Sequence, residues 1–218
     1  MKRTIAAVLM GLFLVAGATT FEVRVENVST PSSLMTKNGG VAVPLAPGVF
    51  VVHKTVNPLF VPAGMASLGL ERLAEDGDPA LLAKELGAGA GVFAVPAGKD
   101  GPAPIFPGEA YVFRVEAMDG DRLSLATMFV QSNDWFYAPG PGGIPLFKDG
   151  RPVSGDVTMY LRLWDAGTEK NGPPGKGMYQ APRQKGKNMG PDEMGVVHEV
   201  RPEALKGPVI RVTITPVK

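Results

Sequence analysis

The chain contains no cysteine, so none of its 218 residues can form a disulfide, a thiolate metal site or a thiol nucleophile. It also lacks an excess of either charge, because without Lys2 and Arg3 it has 20 basic and 21 acidic residues. This balance excludes a strong global attraction to nucleic acid or to an anionic membrane. Stability must come from a hydrophobic core, and 44% hydrophobic residues suffice for one sizeable domain.

Residues 1–18 have the pattern of a secretory signal peptide. Lys2 and Arg3 precede a short apolar run from Ile5 to Val15, and Ala16-Gly17-Ala18 places small residues at the cleavage position. The run is shorter than the roughly 20 residues that a membrane-spanning helix needs. We therefore expect cleavage after Ala18, export to the periplasm or the extracellular space, and a single domain over residues 19–218 with no transmembrane segment.

Alternating apolar and polar residues predict strands along most of the chain. Phe21, Val23 and Val25 alternate with charged residues, which is the period-2 pattern of a half-buried strand. Seven similar runs are found at 48–53, 92–95, 110–116, 123–130, 157–164, 196–200 and 209–215. Asp119-Gly120 and Asp149-Gly150 provide hairpin turns. The pattern predicts a mainly all-β fold, an eight-stranded antiparallel β-sandwich.

Two segments depart from this pattern. Residues 65–86 keep a rough helical face and predict two short helices, with Gly77 ending the first, Asp78 and Pro79 opening the second, and Gly87 closing it. Residues 170–191 contain nine Gly or Pro and no apolar periodicity, so they predict a long surface loop. The sandwich is therefore expected to carry one short helical insertion and one long loop.

Carboxylates follow the ends of two predicted strands. If these strands are neighbours, Asp134, Asp165 and Glu169 could converge at the rim, with Gly167 letting the backbone curve between the last two. Oxygen ligands on loops suit Ca²⁺, which takes six to eight of them in flexible geometry. The alternative is that Asp134 is a turn residue and 165–168 an ordinary loop. The spacing alone leaves both interpretations open.

The segments Ser-Asn-Asp-Trp-Phe at 132–136 and Leu-Trp-Asp-Ala-Gly-Thr-Glu at 163–169 resemble the two signature segments of spondin domains. Residues 47–53 and 66–77 also resemble stretches typical of bacterial secreted members. The resemblance implies a C2-like β-sandwich with one Ca²⁺ at its rim, held by three acidic residues. By position these residues are Asp134, Asp165 and Glu169, although animal members typically have Asp at the third position.

The function expected from these features is that of an exported, calcium-binding spondin-like module acting in ligand binding or in cell-surface or matrix adhesion, without catalysis. Its partner would be a surface glycan, a lipid head group or a protein, and not a nucleic acid. The alternatives are a Ca²⁺-stabilised structural or protein-interaction domain and, less favoured, a metal-dependent hydrolase in which the metal or a histidine, His53 or His198, activates water. The sequence has no Gly-x-Ser-x-Gly, His-Glu-x-x-His or phosphate-loop motif.

Two further groups of residues allow more than one interpretation. Trp164 is expected to pack in the core, whereas Trp135-Phe136-Tyr137 either packs in the core or forms an exposed platform for a sugar or a membrane. The basic residues of the long loop either contact an anionic polymer or lipid head group or are simply solvated. These are Lys170, Lys176, Arg183, Lys185 and Lys187.

Overall fold

The computed structural model describes residues 17–217, so the predicted signal peptide lies almost entirely outside the described residues. The first strand begins at Thr19, immediately after the predicted cleavage position. Within residues 17–217, no helix has both the length and the apolar character needed to cross a membrane.

The described chain consists mainly of antiparallel strands, many of them short. The strands are β1 (Thr19–Asn27), β2 (Leu34–Thr36), β3 (Gly39–Val41), β4 (Leu45–His53), β5 (Ala90–Phe93), β6 (Ala110–Ala117), β7 (Arg122–Phe129), β8 (Trp135–Pro139), β9 (Ile144–Pro145), β10 (Phe147–Lys148), β11 (Arg151–Pro152), β12 (Gly155–Asp156), β13 (Leu161–Asp165), β14 (His198–Glu199) and β15 (Ile210–Val217). The helices are α1 (Leu68–Asp76), α2 (Ala80–Leu86) and a 3₁₀ turn, Thr158–Tyr160.

Most strands belong to two sheets. The first sheet has the order β12-β15-β1-β6, and the second has the order β14-β13-β8-β7-β4-β5, with β9 also paired to β7. The remaining strands form the two small ribbons β2-β3 and β10-β11. The prediction of a mainly antiparallel all-β sandwich is confirmed. More than eight strands are present because several pairings involve only two or three residues.

The main core lies between the two sheets. Phe21, Val23 and Val25 of β1 are fully buried there, and the charged residues between them point away from the core. Leu123 and Leu125 of β7 belong to the same cluster. The alternation in β1 thus has its expected cause, because successive side chains of a strand point to opposite faces of the sheet.

The helices cover the outer face of the second sheet. Leu70 and Leu73 of α1 and Leu82 of α2 form a cluster with Ala126 of β7 and Phe136 of β8. The second sheet is therefore buried on both faces, and seven of the eight residues of β7 are buried. The molecule has three layers: the first sheet, the second sheet and the helices.

The helix break has the predicted capping chemistry. Gly77 has a φ of +67°, and its N–H donates to the Leu73 carbonyl at 3.1 Å. The Asp78 Oδ1 atom accepts from the Ala80 N–H at 3.2 Å, at the start of α2. A glycine in the left-handed region ends a helix without the steric cost of a Cβ atom. The two predicted helices are confirmed, although α1 begins at Leu68 rather than Met65 and α2 begins at Ala80, with Pro79 at its N-cap position.

Three strand predictions were wrong in part. Residues 157–160 do not continue as a strand, because the Asp156 Oδ1 atom accepts from the Thr158 N–H at 2.8 Å and starts the 3₁₀ turn. The strand predicted at 196–200 is reduced to His198–Glu199, and that at 92–95 begins and ends two residues earlier. Strand β8 was not predicted, since all five of its residues are buried and show no alternation.

Candidate metal centre

Two neighbouring strands bring Asp134 and Asp165 to one edge of the second sheet. Strands β8 and β13 are antiparallel, and Trp135 at the start of β8 lies opposite Asp165 at the end of β13. Asp134 directly precedes Trp135, so both carboxylates lie at the same rim. This is the convergence that the sequence suggested for these two residues. Both side chains are buried, with Asp134 0% and Asp165 1% exposed.

The third carboxylate of the group belongs to Glu193, which the sequence reasoning missed. Asp134, Asp165 and Glu193 each place one carboxylate oxygen within 4.8 Å of the others. Glu193 reaches the rim because its N–H donates to the Thr168 carbonyl at 2.8 Å, and the Gly195 N–H donates to Gly167 at 2.7 Å. The sequence offered one weak signal for Glu193, because it belongs to an acidic pair, Asp192-Glu193, that directly follows the basic loop.

Glu169 lies beside the group but outside it. Its Oε1 atom accepts a hydrogen bond from the Asn133 side chain at 2.8 Å, and the side chain is 2% exposed. Burial raises the pKa of its carboxyl above the ordinary value. The backbone N–H of Glu169 donates to the Asp134 Oδ2 atom at 3.2 Å. In this structure Glu169 thus supports the rim through its backbone.

The Asp134 carboxylate has one oxygen that is fully engaged and one that is not. Oδ2 accepts from the Thr168 N–H at 2.8 Å, the Thr168 hydroxyl at 3.3 Å and the Glu169 N–H at 3.2 Å. Oδ1 is buried and has no hydrogen-bond partner among the described residues. Burial, together with the nearby charge of Asp165, raises the pKa of Asp134 to about 7.

Asp165 is held rigidly by its neighbours. Oδ1 accepts from the Gly167 N–H at 2.7 Å, and Oδ2 accepts from the Trp135 indole N–H at 2.8 Å and the Asn171 amide at 2.7 Å. Gly167 has a φ of +69°, and an added Cβ there would lie 2.6 Å from the Val196 nitrogen. Glycine is therefore required for the segment carrying Glu193 to approach the strand end.

This donor set fits a hard divalent cation. Within residues 17–217, no Lys, Arg or His side chain forms an ion pair with any of the three carboxylates. Buried carboxylates without a cationic partner are costly. Two oxygens bound to one Ca²⁺ at 2.3–2.6 Å can lie up to about 5 Å apart. The 4.8 Å grouping and the unpaired Asp134 oxygen meet these requirements.

The aromatic residues beside the carboxylates are buried. Trp135 and Tyr137 pack between the sheets, whereas Phe136 and Trp164 pack beneath the helical layer. The Trp164 indole N–H donates to the Ala138 carbonyl at 3.1 Å. The expectation of core packing for Trp164 is confirmed, and for residues 135–137 the core alternative is the one observed. These side chains fix the two strand ends relative to each other.

The two histidines form no acid–base pair with a carboxylate in the described part of the chain. The His53 Nε2 atom lies 2.8 Å from the buried Ser124 hydroxyl, and the His198 Nδ1 atom lies 3.0 Å from the Val196 carbonyl. Both of these contacts join a histidine ring to a neutral group of the protein.

The comparisons with known proteins agree with this architecture. The Spondin_N family model matches residues 48–187, which is more than half of the chain and includes both Asp134 and Asp165. No curated protein matches the chain. Spondin domains are non-catalytic modules and are typically extracellular. On the strength of this match, the chain belongs to the Spondin_N family, the family of spondin N-terminal domains.

Proposed function

We propose that this protein is an exported, calcium-binding spondin module that acts in ligand binding or in cell-surface or matrix adhesion, without catalysis. Asp134 and Asp165 are the two buried ligands, and Glu193 is the third carboxylate. The resemblance to spondin domains assigns the third ligand position to Glu169 instead, so Glu169 is the alternative to Glu193. The observation that carries the proposal is the buried Asp134 Oδ1 atom, which has no partner among residues 17–217 and belongs to a carboxylate grouped with those of Asp165 and Glu193.

The three proposed ligands come from different parts of the chain and differ in their exposure to solvent. Asp134 and Asp165 lie on adjacent strand ends, while Glu193 belongs to a separate segment that pairs with residues 167–168. A bound Ca²⁺ would supply positive charge that links these three parts of the chain. Because Glu193 is exposed, its side of the site is open to solvent. An oxygen of an anionic ligand can reach the centre from that side.

Terbium luminescence tests the metal site directly, since Tb³⁺ replaces Ca²⁺ at oxygen sites. The Trp135 indole N–H lies 2.8 Å from the Asp165 Oδ2 atom, so excitation of this tryptophan should sensitise a bound Tb³⁺ ion. We expect sensitised emission that Ca²⁺ displaces, and loss of the emission in Asp134→Asn. Asp100→Asn, which changes an exposed loop carboxylate, is the matched control. Equal emission from the two variants would contradict the assignment.

The third ligand is identified by comparing two more variants. Glu193→Gln should weaken Ca²⁺ binding about tenfold, whereas Glu169→Gln should change it less than threefold, because the Glu169 carboxylate is bonded to Asn133. The opposite order would make Glu169 the ligand. Luminescence lifetimes in H₂O and D₂O then count the water molecules on the ion. At least one bound water supports ligand presentation, and none supports the alternative of a purely structural ion.

A further inference from the structure

The long loop encloses a cleft of its own. Residues 170–191 form turns and bends without a helix or strand, and within them lies a cavity of about 360 Å³. This volume falls within the range of about 300–1,000 Å³ that is usual for small-molecule sites. We call this cavity the loop cleft, and it is lined by Lys176, Met178, Tyr179, Arg183, Gln184, Lys185 and Met189.

The charge of the loop cleft is positive and uncompensated. Residues 170–191 include five Lys or Arg and no Asp or Glu. In the described structure, Lys187 is the one among them that forms an ion pair, with Asp78 at 2.6 Å. Lys176, Arg183 and Lys185 line the loop cleft without a carboxylate within ion-pair distance. Their charges are therefore available to an anion.

Arg183 is held in place by neutral acceptors. Its Nε atom donates to the Gly177 carbonyl at 2.8 Å, and both terminal nitrogens donate to the Gln131 Oε1 atom at 3.1 Å. One of those nitrogens also donates to the Gln180 Oε1 atom. These contacts fix the guanidinium without neutralising it. A fixed cation costs less side-chain entropy when it binds an anion than a mobile one does.

The other side chains along the cleft include two thioethers and an aromatic ring. Met178 is 68% exposed and Met189 48% exposed, and Tyr179 lines the same cavity. Methionine side chains adapt to ligands of irregular shape. A cleft that combines cations with exposed apolar side chains matches a ligand with one anionic group and one apolar group.

We propose that the loop cleft binds a small amphiphilic anion: a carboxylate, sulfate ester or phosphate ester attached to an alkyl or aryl group. The proposal names a ligand class for the binding role suggested above, but it uses none of the carboxylates assigned to the metal. The anionic group contacts Lys176, Arg183 and Lys185, while the apolar group packs against Met178, Tyr179 and Met189. Binding therefore does not require Ca²⁺.

Calorimetry with alkyl probes below their critical micelle concentrations tests the proposal. Octyl sulfate should bind, octyl glucoside should bind at least tenfold more weakly, and inorganic sulfate should bind weakly or not at all. Lengthening the alkyl sulfate from six to eight carbons should tighten binding about fourfold per methylene until the cleft is filled. Raising the salt concentration should weaken binding, because the cations are close to solvent. Equal binding of octyl sulfate and octyl glucoside would overturn the proposal.

Variants locate the site. Lys176→Gln and Lys185→Gln should each weaken octyl sulfate binding about two- to fivefold, which is the range for an exposed charge pair. Lys148→Gln, at a different cavity, is the charge control and should have no effect. A second apolar cavity of about 560 Å³ is lined partly by Phe106. Weakening by Phe106→Ala, with both loop lysine variants unchanged, would move the ligand there and refute the assignment.

Two further experiments distinguish binding in the loop cleft from binding to a membrane surface and from binding that depends on the metal site. Binding to phosphatidylglycerol vesicles, without binding of monomeric octyl sulfate or octyl phosphate, would indicate a membrane surface and would overturn the cleft proposal. All titrations are repeated in chelator and in 1 mM Ca²⁺. Equal affinity in both supports a cleft that acts independently of the rim. A loss of Tb³⁺ binding in the rim variants with normal octyl sulfate binding shows that the two sites are separable.

Discussion

Replacing Asp134 with asparagine should stabilise the protein in the absence of Ca²⁺. The carboxylate is fully buried, its Oδ1 atom has no partner among the described residues, and Asp165 lies beside it. An asparagine Oδ1 atom can accept the hydrogen bonds that Thr168 and Glu169 now donate. The neutral amide nitrogen then takes the place of the unpaired charged oxygen. A neutral amide costs less to bury than a carboxylate.

The size of the effect follows from exchanging a charged unpaired group for a neutral one at the same buried position. A buried polar group without a partner costs about 1–3 kcal/mol and a charged one costs more, so a gain of about 2 kcal/mol is expected from the loss of the charge. A gain of about 2 kcal/mol raises the unfolding midpoint of a domain this size by about 4–8 °C. For a dissociation constant of about 0.1 mM, 1 mM Ca²⁺ stabilises the wild type by about 1.4 kcal/mol, and the variant by none. The variant's advantage in chelator should therefore shrink when Ca²⁺ is added.

Asp165→Asn provides the contrast. Both oxygens of Asp165 accept hydrogen bonds, with Gly167 donating to one and Trp135 and Asn171 donating to the other. In either orientation, the NH₂ group of an asparagine amide would face at least one of these N–H donors, so at least one hydrogen bond would be lost. Both variants remove one charge from the pair, so the difference between them reflects these hydrogen bonds. Asp134→Asn should be more stable than Asp165→Asn by about 1–3 kcal/mol in chelator.

The assay is thermal and urea unfolding of the mature chain in chelator and in 1 mM Ca²⁺, with Asp100→Asn as the control. A lower midpoint for Asp134→Asn than for the wild type in chelator, with the Ca²⁺ response retained, would refute the reasoning. Asp134 would then be a structural hydrogen-bond acceptor in the turn, which is the alternative that the sequence left open.

Three further predictions concern the scaffold. Phe136→Ala should lower the free energy of unfolding by about 3–5 kcal/mol in urea unfolding, because this side chain is fully buried. Phe106→Ala, at a residue that is 53% exposed, should lower it by about 0.5 kcal/mol or less. Gly77→Ala should cost at least about 1 kcal/mol by the same measurement, since its φ is +67° and an added Cβ would lie 2.6 Å from a neighbouring side chain. Burial lowers the pKa of His53, so its folded state resists protonation, and the contribution of His53 to stability should fall as pH drops below about 6.5; the pH dependence of the free energy of unfolding should therefore differ between the wild type and His53→Gln in that range.

Part of the fold could be read from the sequence because some faces of its elements are exposed. Strand β1 alternates, since one side of it packs on the core and the other meets solvent. The helix break at Gly77 was recognisable because the left-handed conformation there favours glycine. Strand β8 was missed because helices cover the outer face of its sheet and all five of its residues are buried. A strand buried on both faces carries no period-2 signal.

In the candidate metal site, too, some features were predictable from the sequence and others depend on the folded structure. The sequence by itself determined that acidic residues follow two strands and, through a resemblance to spondin domains, that Asp134 and Asp165 belong together. Only the tertiary structure brought a carboxylate oxygen of Glu193 close to those of Asp134 and Asp165, and only it showed that Trp135 is buried and donates to Asp165. The pairing of residues 191–195 with 167–170 joins segments separated by the long loop. Local propensity and motif spacing describe residues near one another in the chain, whereas such a pairing depends on contacts that exist only once the whole sandwich has folded.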